Sequence, residues 1–418
     1  MLNRRSMLTL MAGATVAPKM VFAADAPTLK PAPYRLALYA NVGPELWHYD
    51  VNLNTAELTR RGSVKLPANV QYAWPHRSGR ALYVVSSNGQ SGKAGVHHAT
   101  ALRLDHASGE AQVMGAPVAL PDRPINVCTD IPSKNLLVAF NQPSGVRIFR
   151  IKPDMTLGGE VKQGKLDGGV YAHQIRVTND NRHAILVTRG NDSTPTKAED
   201  PGALKFFDYA DGRLSHEYSV APNGGIGFGP RHLDFHPAKP WVYVSLERES
   251  RLFMYRLTQG KLETKAAYDV DTLKDRGDFD PRQLAGAIHV HPNGKFVYVA
   301  NRADGTVDYQ GRKVFKGGEN SIAVYAIDQA TGEPRVIQFA DTNKIYPRTF
   351  YIDPTGSLLV AEHNIPLDVR DGERIRPVQA GLTVFRIGDD GKLTLARNYD
   401  VDVGKDTMFW AGMVAVRA

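Results

Sequence analysis

His173, Arg231, Glu247 and Arg302 stand at the ends of apolar, strand-like runs, and together they are enough to open an activated ester. The reaction needs a base to take a proton from water, and a cation or donor to hold the carbonyl oxygen as it turns negative. Glu247 or His173 could serve as the base. Arg231 and Arg302 suit the substrate and its oxyanion, because a planar guanidinium stays charged and grips oxygen pairs with two parallel bonds. A positioned base contributes about 10²–10⁴-fold and one oxyanion donor about 2.7–4 kcal/mol, so this set is sufficient. Arg348, His289 and His232 are the further candidates for substrate contact, and the two histidines could equally support neighbouring strands. Arg231 and Glu247 begin and end one hairpin, which also allows a plain ion pair between them. Glu362 ends a comparable run.

Other chemistries find less support. A single cysteine, Cys128, excludes intrachain disulfides, cysteine zinc sites and c-type haem attachment. His97-His98 has no acid at ligand spacing and reads as a solvated loop, so neither a metal nor another cofactor is expected. A nucleophilic serine elbow, G-x-S-x-G, is missing.

The elements that must position these groups repeat. Phe235-His236-Pro237 to Ser245, Val290-His291-Pro292 to Ala300, and Ile352-Asp353-Pro354 to Ala361 each read as strand, tight turn, strand. Weaker copies lie at Tyr72–Val85, Val127–Phe140 and Ile175–Thr188, with marker positions 75, 132, 179, 237, 292 and 354 lying 47–62 residues apart. An alternating third strand, a Gly or Asp turn and a fourth strand follow, which is one propeller blade per repeat. The chain is long enough for seven such units. The expected fold is therefore all-β, a seven-bladed β-propeller of residues 34–418 with four antiparallel strands per blade. Met408–Val416 has no repeat of its own and is expected to close the ring against the first blade, because closure removes exposed sheet edges. First strands begin and second strands end at one face, so His173, Arg231, His232, His289 and Arg348 should meet Glu247, Arg302 and Glu362 there. The long inserts Ser86–Thr100, Gly190–Ala203, Arg302–Asn320 and Asn364–Ala380 all follow second strands and are expected to wall that face with polar loops.

The remaining features bound location and partners. Arg4-Arg5, the apolar run Met7–Ala17 and Val21-Phe22-Ala23 read as a twin-arginine-like signal over residues 1–23, followed by an extension over 24–33. The apolar run is too short to span a bilayer, so the expectation is a soluble periplasmic protein with no membrane contact in its mature form. Without residues 1–23 the chain carries 48 Lys+Arg against 43 acids and no basic run, which argues against a nucleic-acid partner. No feature specifies an oligomer, and a monomer is expected.

Gly229-Pro230-Arg231-His232-Leu233 with Phe235-His236-Pro237, Glu247, Ile288-His289-Val290 with Pro292-Asn293-Gly294-Lys295, Asn301-Arg302 and Asn320-Ser321-Ile322-Ala323-Val324-Tyr325 resemble the seven-bladed propeller lactonases. That family includes bacterial 6-phosphogluconolactonase and fungal carboxy-muconate lactonizing enzymes. The resemblance implies a metal-independent pocket at the axis, formed by His173, Arg231, Glu247 and Arg302, with Arg348 a further candidate. It also implies a small-molecule lactone as substrate. Three departures stand out: Ala287 where the family often has an acid, Thr188-Arg189-Gly190-Asn191-Asp192 in place of an Asp-Leu-Gly-x-Asp element, and Pro124-Ile125-Asn126 in place of Pro-x-His. They leave open a muconate-type cyclase or a non-catalytic binding propeller. A weaker resemblance is to the large propeller subunit of quinoprotein amine dehydrogenases. Export favours an unphosphorylated sugar or organic-acid lactone, since phosphorylated sugars are mainly cytoplasmic.

Overall fold

The computed structural model describes residues 34–90, 94–277 and 282–417; the signal-like segment and the extension lie outside them. Seven antiparallel sheets follow one another along the chain, and in blades two to seven the first strand is innermost. The inner strands of blades two to seven are Val70–Pro75, Pro124–Thr129, Ala172–Val177, Pro230–Phe235, Leu284–Val290 and Pro347–Ile352. Blade one takes its innermost strand from the end of the chain, where Ala411–Arg417 pairs with Tyr34–Val42 in a register running from Tyr34↔Arg417 to Ala40↔Ala411. The expected closure is therefore present.

Burial follows from the stacking of blades. Seven apolar clusters lie between neighbouring sheets, one at every junction including the closing pair of blades one and seven. Buried tyrosines latch the junctions: Tyr39, Tyr83, Tyr243 and Tyr298 each donate a hydroxyl to a turn carbonyl of the next blade, at 2.6–3.1 Å. The His-Pro turns of the repeat do the same, since His236 and His291 donate through Nε2 to the carbonyls of Gly294 and Gly356, both at 2.9 Å. Gly356 must be glycine, because its φ is +76° and a Cβ would meet the His291 ring at 2.3 Å.

Two expectations need correction. The inserts Arg302–Asn320 and Asn364–Ala380 are not plain loops. Each contains a hairpin, Thr306–Tyr309 with Arg312–Phe315 and Leu367–Asp371 with Arg374–Val378, and the two join in parallel at Val314↔Asp368 as a separate four-stranded sheet. Nor does His97-His98 lie in a loop: it starts the third strand of blade two, His97–Leu104, with Ser86↔His98 and Ser87↔His97 in register. The Ser87 hydroxyl sits 2.8 Å from Nδ1 of His97, which gives this buried imidazole a local polar partner.

Candidate active site

A β-bulge recurs near the start of the inner strands, and it is what presents the chemistry. In blade two Val70 pairs Ser86 and Tyr72 pairs Val85, which leaves Gln71 unpaired. The same skip leaves His173 unpaired in blade four, Arg231 in blade five and Arg348 in blade seven. A bulge re-aims the extra side chain out of the strand's alternation. His173, Arg231 and Arg348 each stand six residues before the repeat marker, at 179, 237 and 354, so the repeat itself carried this signal.

At the centre is Glu247, just beyond the second strand Trp241–Leu246 and 2% exposed. Its Oε1 accepts from Arg231 at 2.7 Å and also from Arg302; its Oε2 accepts from Arg189 at 3.0 Å. Burial raises the carboxyl's pKa, but Arg231, Arg302 and Arg189 together outweigh it and hold the group far below the usual carboxylate range. Burial, then repulsion from Arg302, pushes the Arg231 guanidinium down to about 9 in spite of Glu247. Arg348 falls to about 10 for the same two reasons and lies 3.5 Å over the Phe409 ring. Arg302 lies over Tyr346, and Arg189 over Tyr171.

His173 is buried, and its ring centroid lies 5.0 Å from that of His232. Burial first, then Arg231 and the groups around it, holds its pKa well below the imidazole range, so it is neutral at pH 7. His232, pressed edge-on by Tyr72, is held neutral by burial and the same arginines. His289 is not in the group around Glu247: its Nδ1 sits 3.7 Å from Asp234, which Arg176 holds at 3.1 Å.

Glu362 differs from Glu247. Its Oε2 accepts from the Thr349 hydroxyl at 3.0 Å, while Oε1 is buried with no partner. Burial pushes the carboxyl up to about 7, against the opposing pull of Arg348 and the Thr349 bond. Several guanidinium donors are also unpartnered, Nε of Arg231, Nε and Nη1 of Arg302, and Nε of Arg348, and so is the ring nitrogen Nδ1 of His173, free to accept in the tautomer protonated at Nε2. Buried N–H groups without acceptors are costly, by about 1–3 kcal/mol each and more when charged, so an acceptor that entered the cluster would be met by ready donors. A recess of about 250 Å³, lined by Gln71, Arg123 and Phe409 among others, reaches the cluster through Phe409, over whose ring Arg348 lies; Arg123 donates to Gln71 Oε1 at 3.0 and 2.7 Å. Among the described residues no three His, Cys, Asp or Glu side chains come together to hold a metal ion.

Arg189, a departure from the family's element, supplies the third arm on Glu247. Its signal was positional: it follows its second strand just as Glu247 does, and their amides donate to Tyr171 and Gly229, equivalent carbonyls of neighbouring blades. Arg123 and Gln71 were missed. Of the other departures, Asn126 accepts from the amide of Ile175 at 3.3 Å, and Ala287 packs in the junction between blades six and seven.

A seven-bladed propeller with a guanidinium-rich polar centre at one mouth is the class that fold and site define. The family model "Lactonase, 7-bladed beta-propeller" matches residues 38–365, and the chain belongs to that family of lactone-hydrolysing enzymes. It is 26% identical over 351 residues to a 6-phosphogluconolactonase of Bacillus subtilis, covering 80% of this chain and 90% of that one. A 6-phosphogluconolactonase of Yersinia enterocolitica is 24% identical over 368 residues, covering 87% and 94%. In fold it is similar to a periplasmic gluconolactonase of Pseudomonas aeruginosa, with a TM-score of 0.66, 20% identity and coverage of 92% and 99%.

Proposed function

We propose that this mouth hydrolyses a sugar lactone or related organic-acid lactone without a metal ion. His173 takes the proton from the attacking water, being neutral and holding an unpartnered Nδ1. Arg231 and Arg302 receive the oxyanion. Glu247 is the anchor that fixes both guanidiniums, since both of its oxygens are already engaged by arginines. Glu362, with a pKa of about 7, is partly protonated at neutral pH and can return a proton to the leaving ring oxygen. The observation that carries this reading is the set of unpartnered buried guanidinium N–H groups on Arg231, Arg302 and Arg348, which an oxyanion or a carboxylate product would satisfy. The surplus of guanidiniums over carboxylates also disfavours a bound metal cation.

Export of the folded chain to the periplasm, as the Arg4-Arg5 leader suggests, favours an unphosphorylated lactone, and the periplasmic gluconolactonase named above supports that reading. Among the described residues no helix is long and apolar enough to cross a membrane. The test is proton release from glucono-1,5-lactone, 6-phosphogluconolactone and a muconate-type lactone, with wild type and Arg231→Ala. The expected outcome is turnover of the unphosphorylated sugar lactone that falls by about 10²–10³-fold in Arg231→Ala, the effect of losing one oxyanion donor. No acceleration over spontaneous hydrolysis with any of the three would overturn the reading.

A further inference from the structure

At the opposite end of the strands, the turns of blades two and three enclose a groove of about 950 Å³. It is lined from the first-to-second strand turns by Arg80 and Lys134, from the third strand and the turn after it by Arg103 and Lys152, and from the end of the closing strand by Arg417. All five are exposed, and none makes a side-chain hydrogen bond or ion pair with the described residues. A sixth cation, Arg150, is taken up by Asp211 at 2.7 Å. The other lining carboxylate, Asp154, accepts from the hydroxyl of Thr156 at 2.7 Å and its amide at 3.0 Å. Six Lys and Arg therefore face two Asp, a local excess of four positive charges, whereas the whole chain carries +8. Apolar atoms of Leu104, Ile151, Pro153 and Met155 line the same groove. Burial, then Arg77 and Arg80, lowers the His76 pKa at its edge, as a positive field should.

We propose that this groove is a second ligand site, separate from the catalytic mouth, that binds an extended anion carrying several phosphate groups. One monoanion cannot meet five unpaired cations contributed by three separate sheets; a chain of linked phosphates can meet them in succession. Arginine forks grip phosphate oxygens in pairs and lysines act as point charges, so the mixture suits this chemistry. The volume lies within the range of about 300–1,000 Å³ that small-molecule sites occupy.

Calorimetric titration of the full chain with sodium tripolyphosphate tests this. Salt concentrations of about 0.01 M and 1 M screen charges beyond about 30 Å and 3 Å respectively. Saturable binding is expected at low salt, and should be lost at high salt. The Arg103→Ala/Lys152→Ala pair should weaken it at least about tenfold, or about 1.4 kcal/mol, with thermal melting and lactone turnover unchanged. Lys134→Ala/Arg417→Ala is the independent second variant should the first fail to fold. Arg231→Ala should bind as wild type does. The proposal is overturned if low-salt binding is absent. It is equally overturned if both groove variants keep binding while Arg231→Ala loses it, which would put the anion in the mouth. Co-sedimentation with phosphatidylglycerol vesicles without binding of free tripolyphosphate would overturn it in favour of a membrane-surface contact.

Discussion

Two buried carboxyls near the same mouth have opposite fates. Glu247, beyond the second strand of blade five, holds three guanidiniums and stays ionised well below the usual carboxylate range; Glu362, in the second strand of blade seven, has one hydroxyl partner and is pushed up to about 7. Burial acts alike on both, so the difference lies in the charges each one meets. Arg231 and Arg302 converge on Glu247, whereas Arg348 is drawn over Phe409 and makes no ion pair with Glu362. One fold thereby holds an ionised carboxylate and a carboxyl of raised pKa within a single cluster, and the proposed roles of anchor and proton carrier follow that separation.

The largest effect expected from breaking this contrast is at the anchor. Glu247→Ala leaves buried guanidiniums without their counter-charge, and removing one partner of a buried pair costs about 3–5 kcal/mol. Urea unfolding should show that loss, with lactone turnover abolished; a variant of wild-type stability would mean the clamp carries no weight. At Glu362 the change depends on pH. The folded carboxyl sits above its ordinary value of 4.5, so the folded state keeps a proton that the unfolded chain releases. The stability this supplies is complete below about pH 4.5 and is lost as pH rises through about 7, a span of about 3 kcal/mol. Unfolding of Glu362→Gln should therefore gain on wild type between pH 5 and pH 8, and parallel pH curves for the two proteins would rule out a raised carboxyl. The smallest effect is a control away from the mouth. Tyr298→Phe removes one latch between blades six and seven and should cost about 1 kcal/mol in denaturant unfolding, with turnover unchanged.

Much of this arrangement was legible in the residues because the blade repeat is also a chemical ruler. Pro237 and Pro354 mark turns, and the bulged positions six residues earlier are Arg231 and Arg348. The closing strand was legible for a related reason: Met408–Val416 alternates like a strand but has no hairpin of its own. Arg189 was obscured by comparison with a motif it does not follow, although its place after a second strand matched that of Glu247. The pairing of the two insert hairpins could not be read at all. It rests on one parallel contact between segments some fifty residues apart, Val314↔Asp368, and neither hairpin carries the strong alternation that a buried face imposes.

The central claim is that a neutral imidazole and an anchored guanidinium pair open the lactone. It is tested most directly by pH-stat measurement of lactone opening in His173→Ala beside wild type at pH 7. The account predicts a rate lower by about 10²–10⁴-fold with folding intact, the contribution of one positioned base. A rate equal to wild type would contradict it.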